Sequence, residues 1–504
     1  MVESAAPERV ARLPDGKPIT PAFLTSVLPG EVVGFEVDES SIIEGRHSAT
    51  FRLRLERRED TGEGVEGEKA PTSVFVKRMV CRDLLPRPLH KWRVSVASYR
   101  AEASFFKHMA SNEAVRGLAP RCFWVHSDHR LGICTRRTEG TSGSDGSPES
   151  GNGKRHEPQS VADMKSVGGG EDQELEALRG SSFMLITEDV CMDGAWEQVG
   201  AMTVEKAKRA LTSLACLHAA FWRDTDTENS GLWEGTGAWA ENKGQVESQV
   251  SIAGTSTTGM VGSTHEHGGE GVDRRDGPEQ GRHQHQHQHQ HQHHSHPPIG
   301  HYAGDGGDSC LYAPGLHSHG TFWSLEKREA RDLAEMEKTY AAVVEKLGPS
   351  LPGLFDSPMT INLGRRLSQN ALELDALAMG RGWGQGRRGL TLLHGDPKSW
   401  NMFFRTGCGD EGHDDQALVK LIDWQWCGEG LGASDVAYLM CTSLEPSALG
   451  READLLRHYH QELQTALSGR GVLVSGGRAE GGGCGCISLE DFLEEYDVAF
   501  LNYV

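Results

Sequence analysis

Residues 392–404, LLHGDPKSWNMFF, and residues 421–440, LIDWQWCGEGLGASDVAYLM, decide the fold. Each sets polar residues between apolar runs, the pattern of a buried strand that delivers a short polar loop at its end. Gly395, Asp396, Pro397 and Asn401 all favour turns, so the first run alone also reads as an ordinary turn. Working outward, TLLHGD, NMFFR and LVKLIDW read as strands, and helices are expected near Ser434, Arg451 and Leu489. Upstream, helical spacing places Leu333, Met336, Tyr340, Val343, Val344 and Leu347 on one stripe, and a further helix is expected around Leu372 to Leu377.

The first part of the chain has a different texture. EVVGFEVDE from Glu31, TFRLRLE from Thr50, TSVFVKRMV from Thr72, RCFWVHS from Arg121 and RLGICTR from Arg130 are β-branched and aromatic runs that read as strands. Among them SVASYRAEASFFKHM carries Glu102, Phe105, Phe106 and Met109 at helical spacing, so these four share one face. SFMLITEDV suits a buried strand ending in a linker, Thr187 to Val190. From Val204 a helix is expected, with Leu211, Leu214, Ala215, His218, Phe221 and Trp222 on its apolar side. Strands first and helices second predict an α+β fold of two lobes, residues 1–186 and 187–504. Two stretches lack apolar periodicity and are expected to be disordered insertions. One runs from about 138 to 180, the other from about 225 to 320 with the run HQHQHQHQHQHHSH at residues 283–296.

The bulk numbers exclude several partners. Fifty-one basic residues against 72 acidic ones give a net charge of −21, the wrong sign for binding nucleic acid or an anionic membrane surface. Eleven cysteines with no CxxC pair read as reduced thiols. No signal region and no membrane-length apolar run is present, so a soluble, cytoplasmic protein is expected. HExxH, GxSxG and Walker A patterns are also absent.

The polar residues at the strand ends suit phosphoryl transfer, in which the protein must neutralise phosphate charge, hold magnesium and orient one hydroxyl. Asp396 can accept the proton of that hydroxyl or orient it. Asn401 and Asp423 offer Mg²⁺ the hard oxygen ligands it prefers. Lys77, at the end of an apolar strand, can meet the α and β phosphates of ATP as a point charge, and Glu102 on the inward helical face supplies its counter-charge. Residues 424–434 are too few for the long segment with which protein kinases dock a peptide, so the expected acceptor is the hydroxyl of a small molecule.

Together with SVFVKRM, SYRAEASFF, MLITEDV and LTSLACLHAAFW, the two opening stretches resemble the aminoglycoside phosphotransferase and choline kinase superfamily, and most its CHK or ecdysteroid-kinase-like branch. The resemblance covers the chain from about residue 20 onward, apart from the insertions. It implies a protein-kinase-like bilobal fold with Asp396 as catalytic base, Asn401 and Asp423 as magnesium ligands, and Lys77 with Glu102 as the phosphate-binding ion pair. It further implies that the Thr187 carbonyl and the Asp189 N–H contact adenine, that Asp435 braces the catalytic loop, and that His394 orients it from beneath. The phosphate-covering loop should lie in SIIEGRHSATF, residues 41–51, where Gly45 stands alone. That sparseness leaves a catalytically weak pseudokinase or nucleotide-binding module as the alternative. Relatives are expected to continue the last helix beyond FLNYV, which would alter part of the substrate pocket.

Other residues have plainer readings. His218 reads as a satisfied core histidine, Lys398 as either a γ-phosphate ligand or an exposed lysine, and GEGLGA after Asp423 as a cleft loop rather than a dinucleotide fingerprint. The histidine run reads as simple repeat expansion in preference to a metal store.

Overall fold

A computed structural model describes residues 11–44, 48–58, 70–84, 86–128, 168–192, 194–224, 310, 312–328, 330–358, 360–383, 389–406, 419–469 and 487–503. After helix α1 (Pro21–Val27), five strands form one antiparallel sheet in the order β1-β2-β3-β5-β4: β1 (Val32–Glu44), β2 (Ala49–Arg57), β3 (Ser73–Val80), β4 (Cys122–Asp128) and β5 (Ser182–Glu188). The chain is therefore mixed α+β, as the strand-rich first part predicts.

Alternation fixes which way β2 faces. Phe51, Leu53 and Leu55 are buried, whereas Arg54 and Glu56 between them are exposed. The buried set packs with Leu24 of α1 and with Leu28 just after it. Thr20 caps that helix by accepting the Phe23 N–H at 3.1 Å, and Pro21 supplies the fixed φ favoured at a first helical turn. A separate cluster holds α2 (Leu89–His108) to the sheet, with Trp92, Val96, Tyr99 and Ala103 against Met79 and Phe183. Each such fully buried side chain contributes about 1.5–3 kcal/mol.

Much of the rest of the chain builds the largest core. After the short α3 (Glu113–Arg116), α4 (Gly168–Arg179) and β6 (Trp196–Gln198) comes α5 (Val204–Ala220), which buries Leu211, Leu214, Ala215 and His218 at the expected spacing. Next are β7 (Arg223–Asp224), α6 (Ala330–Leu347), α7 (Leu363–Ala378), β8 (Gly389–Leu393), β9 (Met402–Arg405), β10 (Val419–Leu421) and β11 (Gly428–Leu431). Helices α8 (Gly432–Ser443), α9 (Glu452–Gly469) and α10 (Leu489–Tyr503) complete the described chain. Two three-stranded sheets, β10-β9-β6 and β11-β8-β7, follow; β8 leads directly into His394 and β10 into Ile422.

Three expectations are corrected. Residues 168–179, inside the expected insertion, form α4, because Leu175 and Leu178 fall three apart and pack beside Trp92 and Phe183. Arg93 then reaches Glu174 at 2.7 Å. Residues 312–320, assigned to the second insertion, pack as a strap. Ala313 and Leu316 are buried, His317 forms a parallel bridge with Gly428, and the Gly320 N–H donates to Glu429 at 2.8 Å. A Cβ on Gly320 would stand 2.6 Å from the Gly428 carbonyl oxygen, so the strap crosses β11 only because both positions are glycine. Finally, GEGLGA is strand β11 running into α8; β11 pairs antiparallel with β8, which excludes a dinucleotide-type crossover for a second reason. The expected strand RLGICTR, the loop residues 59–69, the residue Gly45 and the histidine run lie outside the described residues.

Candidate active site

Strand β3 carries Lys77 with its side chain toward α2, in register with Thr50 and Leu185 on its neighbours. Its Nζ lies 2.9 and 2.8 Å from the two carboxylate oxygens of Glu102 and 2.7 Å from Asp423 Oδ1. Glu102 is 2 % exposed, so an unpaired charge there would be costly, and Lys77 supplies the compensation. Burial pulls the Lys77 pKa down, but Asp423 and Glu102 outweigh it and raise it above the ordinary lysine value. Burial likewise opposes ionisation of Asp423, and Lys77 overcomes it, holding that carboxyl below the usual range.

Asp423 has φ +65°, a left-handed backbone that residues other than glycine rarely adopt. The next residue explains how it is held. Trp424 stacks flat on Phe105 with centroids 3.8 Å apart and an interplanar angle of 9°, and its Nε1 donates to the Leu421 carbonyl at 3.0 Å. Phe105 lies one turn beyond Glu102 on α2, so the helix that positions the ion pair also clamps the Asp423 segment.

The loop 394–401 is fixed from below by Asp435, near the start of α8. Its carboxylate accepts the His394 N–H at 2.7 Å and the Gly395 N–H at 2.9 Å, and His218 Nε2 lies 3.3 Å away. His218 Nδ1 in turn pairs with the Tyr459 hydroxyl at 2.7 Å, which makes it the satisfied core histidine its helix position predicts. His394 Nε2 lies 2.9 Å from the Ile422 carbonyl oxygen, and burial lowers the His394 pKa, so the ring is neutral and donates there. Gly395 has φ +83°, and a Cβ there would meet the Trp426 carbonyl oxygen at 2.2 Å; no other residue fits this turn.

Above this brace stand the loop's functional groups. Asn401 Nδ2 donates to both the backbone oxygen and Oδ2 of Asp396, each at 2.9 Å, and Lys398 Nζ meets Asp396 Oδ2 at 2.5 Å. Lys398 thus touches the carboxylate, which the sequence left open. Asp396 Oδ1 is buried and accepts no hydrogen bond from the described residues. Burial raises the Asp396 pKa, opposed by Lys398. The Ile422 N–H donates to the Asn401 carbonyl at 2.9 Å, so loop and Asp423 segment are tied together.

The donor set can be tested for magnesium. Because the Asn401 nitrogen is committed to Asp396, its amide oxygen is turned to other use, and Asp423 spends Oδ1 on Lys77 and keeps Oδ2. Two hard oxygens beside a lysine suit Mg²⁺, which takes one or two protein ligands and completes its shell from phosphate and water.

Thr187, one residue before the end of β5, pairs with Phe75, and its hydroxyl donates to the Phe75 carbonyl at 3.5 Å. Asp189 is buried. Its carboxylate accepts from Arg52 Nε and the Ser73 hydroxyl, both at 2.5 Å, and from the Cys191 N–H at 3.3 Å. The side chain of Asp189 is thereby structural, leaving only its backbone for a ligand. Arg52 was not singled out by sequence, because an arginine on the outward face of a strand carries no motif.

Residues 376–471 match the Ecdysteroid kinase-like family. The match takes in β8, the loop 394–401, Asp423 and Asp435, and bears out the resemblance drawn from those motifs; it does not reach Lys77 or Glu102. A comparison with curated proteins finds no match.

Proposed function

We propose that the chain is a phosphotransferase of two lobes, residues 1–186 and 187–504, which moves the γ-phosphoryl group of ATP to a hydroxyl of a small molecule. The observation that supports it most is that Lys77 meets Glu102 and Asp423 together, while the nearby loop holds Asp396 with one buried oxygen that nothing in the described chain occupies. A structural ion pair has no need of such a vacant acceptor.

In this reading Lys77 neutralises phosphate charge, Asn401 and Asp423 hold Mg²⁺, and the Thr187 carbonyl and Asp189 N–H meet the adenine. When bound by Asn401 and Asp423, a magnesium ion would supply screening of the negative charge on the transferring group. Asp396 Oδ1 accepts the acceptor's proton as the acceptor oxygen forms its bond to the γ phosphorus and the bond from that phosphorus to the β–γ bridging oxygen breaks. Lys398, on the other oxygen of Asp396, keeps the base oriented. The raised pKa of Asp396 suits a base that must take up a proton.

The test is transfer of label from γ-labelled ATP with Mg²⁺ to a panel of sugars, amino alcohols, sterols and aminoglycosides. Labelled product is expected from at least one class and is expected to vanish in Asp396→Asn. Nucleotide binding with no product from any class would replace the proposal with a nucleotide-binding module.

A further inference from the structure

Two consecutive carboxylates at the end of β5 are held by different parts of the molecule. Asp189 is bound by β2 and β3, through Arg52 Nε and the Ser73 hydroxyl, both at 2.5 Å. Glu188 is bound by β10. Lys420 Nζ lies 2.6 and 2.7 Å from its two oxygens, and the Arg121 N–H donates to one of them at 3.1 Å.

Lys420 is built into this place. Val419 and Leu421 on either side of it are buried in the main core, so alternation turns Lys420 to the other face of β10. There its ammonium stands 5.2 Å from the centre of the Trp196 ring, and the side chain is only 14 % exposed. An ion pair in open water contributes little, because solvent screens it and two long side chains must be ordered. Here the carboxylate takes three donors and the ammonium is covered by an indole, so both side chains are fixed in place. The strand then runs on through Ile422 to Asp423. One strand therefore leads to Asp423 at one end and grips the end of β5 at its middle.

Thr187 and Asp189 flank Glu188. They carry the carbonyl and the N–H proposed to meet adenine, and a base edge presents its donor and acceptor at a fixed spacing. A peptide free to move would have to be ordered at the moment of binding, which weakens affinity; a peptide gripped beforehand avoids that cost. We infer that Lys420, acting through Glu188, is a positioning residue for the nucleobase: together with Arg52 and Ser73 on Asp189, it holds the peptide 187–189 ready before a nucleotide arrives. The inference rests on the ATP-binding part of the phosphotransferase reading and not on the transfer step.

The experiment measures dissociation constants on the full chain by ligand-observed NMR titration, with adenosine, ATP with Mg²⁺, and inorganic tripolyphosphate with Mg²⁺. Wild type, Lys420→Met, Lys420→Arg and Glu188→Gln are compared. Lys420→Met is expected to weaken adenosine and ATP by the same factor, about ten-fold, and to leave tripolyphosphate within about two-fold of wild type. Lys420→Arg, which can still meet both carboxylate oxygens, should recover most of the loss. Glu188→Gln should shift adenosine in the same direction by less, and it carries the test if Lys420→Met does not fold. In turnover, the KM for ATP should rise with kcat retained. Unchanged adenosine affinity in the folded variants overturns the inference. So does an equal loss for tripolyphosphate, which would mark a general loosening of the fold. Phosphoryl transfer by a protein whose adenosine affinity ignores Lys420 would sink the base positioning and leave the kinase standing. A base-selective loss with no transfer to any acceptor would do the reverse, and wild type that binds neither adenosine nor ATP would sink both.

Discussion

Asp435→Asn tests how the catalytic loop is held. In the wild type one carboxylate accepts two backbone N–H groups, from His394 and Gly395 at 2.7 and 2.9 Å, and faces His218 Nε2 at 3.3 Å. An asparagine in the same place keeps one oxygen and turns an NH₂ toward the other donor. One buried backbone N–H is then unsatisfied and meets a second donor, and a charge-assisted bond is lost as well. The unsatisfied group costs about 1–3 kcal/mol and the lost charged bond contributes a similar amount, so about 3 kcal/mol in total is a fair expectation. For a domain of this size each kcal/mol moves the melting temperature by about 2–4 °C, which predicts a drop of roughly 6–12 °C. Activity should fall further than stability alone explains, because a loop displaced by about 1 Å costs about 10²-fold in rate. The assay is a pair of thermal melts by circular dichroism, with ADP release measured well below both midpoints. A variant that melts within 1 °C of wild type and keeps full turnover would refute the brace.

Lys77→Met leaves Glu102 and Asp423 uncompensated and should cost about 3–5 kcal/mol in denaturant unfolding; Lys77→Met with Glu102→Gln should recover part of it, and a double variant less stable than the single would be inconsistent with the pairing. Gly395→Ala forces a Cβ to 2.2 Å from the Trp426 carbonyl oxygen in a left-handed turn, so expression as folded protein with unaltered activity is not expected; near-UV circular dichroism and ADP release check this. Asp375 is buried and its pKa is pushed up to about 6 by burial, against the bond from the Leu325 N–H. A folded-state pKa above the unfolded value means that the folded chain holds the proton more tightly. Its ionisation therefore costs about 3 kcal/mol of stability at pH above about 6, and the cost fades as pH falls toward about 4. Asp375→Asn should be more stable than wild type at pH 7.5 and no more stable at pH 4, by urea unfolding at both values.

The parts of the site that the sequence revealed were those with a periodicity or a spacing. Lys77 could be read because β3 is an apolar strand, and Glu102 because it shares a helical face with Phe105 and Phe106. His218 was placed correctly by its position on the α5 stripe. The contact between Lys77 and Asp423 was not foreseen, since it joins residues far apart in the chain and depends on the left-handed backbone at Asp423. The strap at residues 312–320 is not legible in a long stretch of Gly, Ser and His, because packing by close glycine approach leaves no hydrophobic period. Helix α4 was missed for a related reason: two leucines are too few to stand out beside polar flanks. Arg52 holds Asp189 from an outward strand position that sequence alone reads as solvent-facing.

The central claim is that Asp396 is the base of a phosphoryl transfer, and its most direct measurement is turnover of wild type and Asp396→Asn on the same acceptor with ATP and Mg²⁺. The substitution keeps the side chain's shape and one oxygen for the Asn401 and Lys398 bonds, but it loses the carboxylate charge and cannot accept the proton. Transfer is expected to fall by at least about 10²-fold, the usual range for loss of a general base, with ATP affinity retained. Equal turnover in the two proteins would contradict the claim.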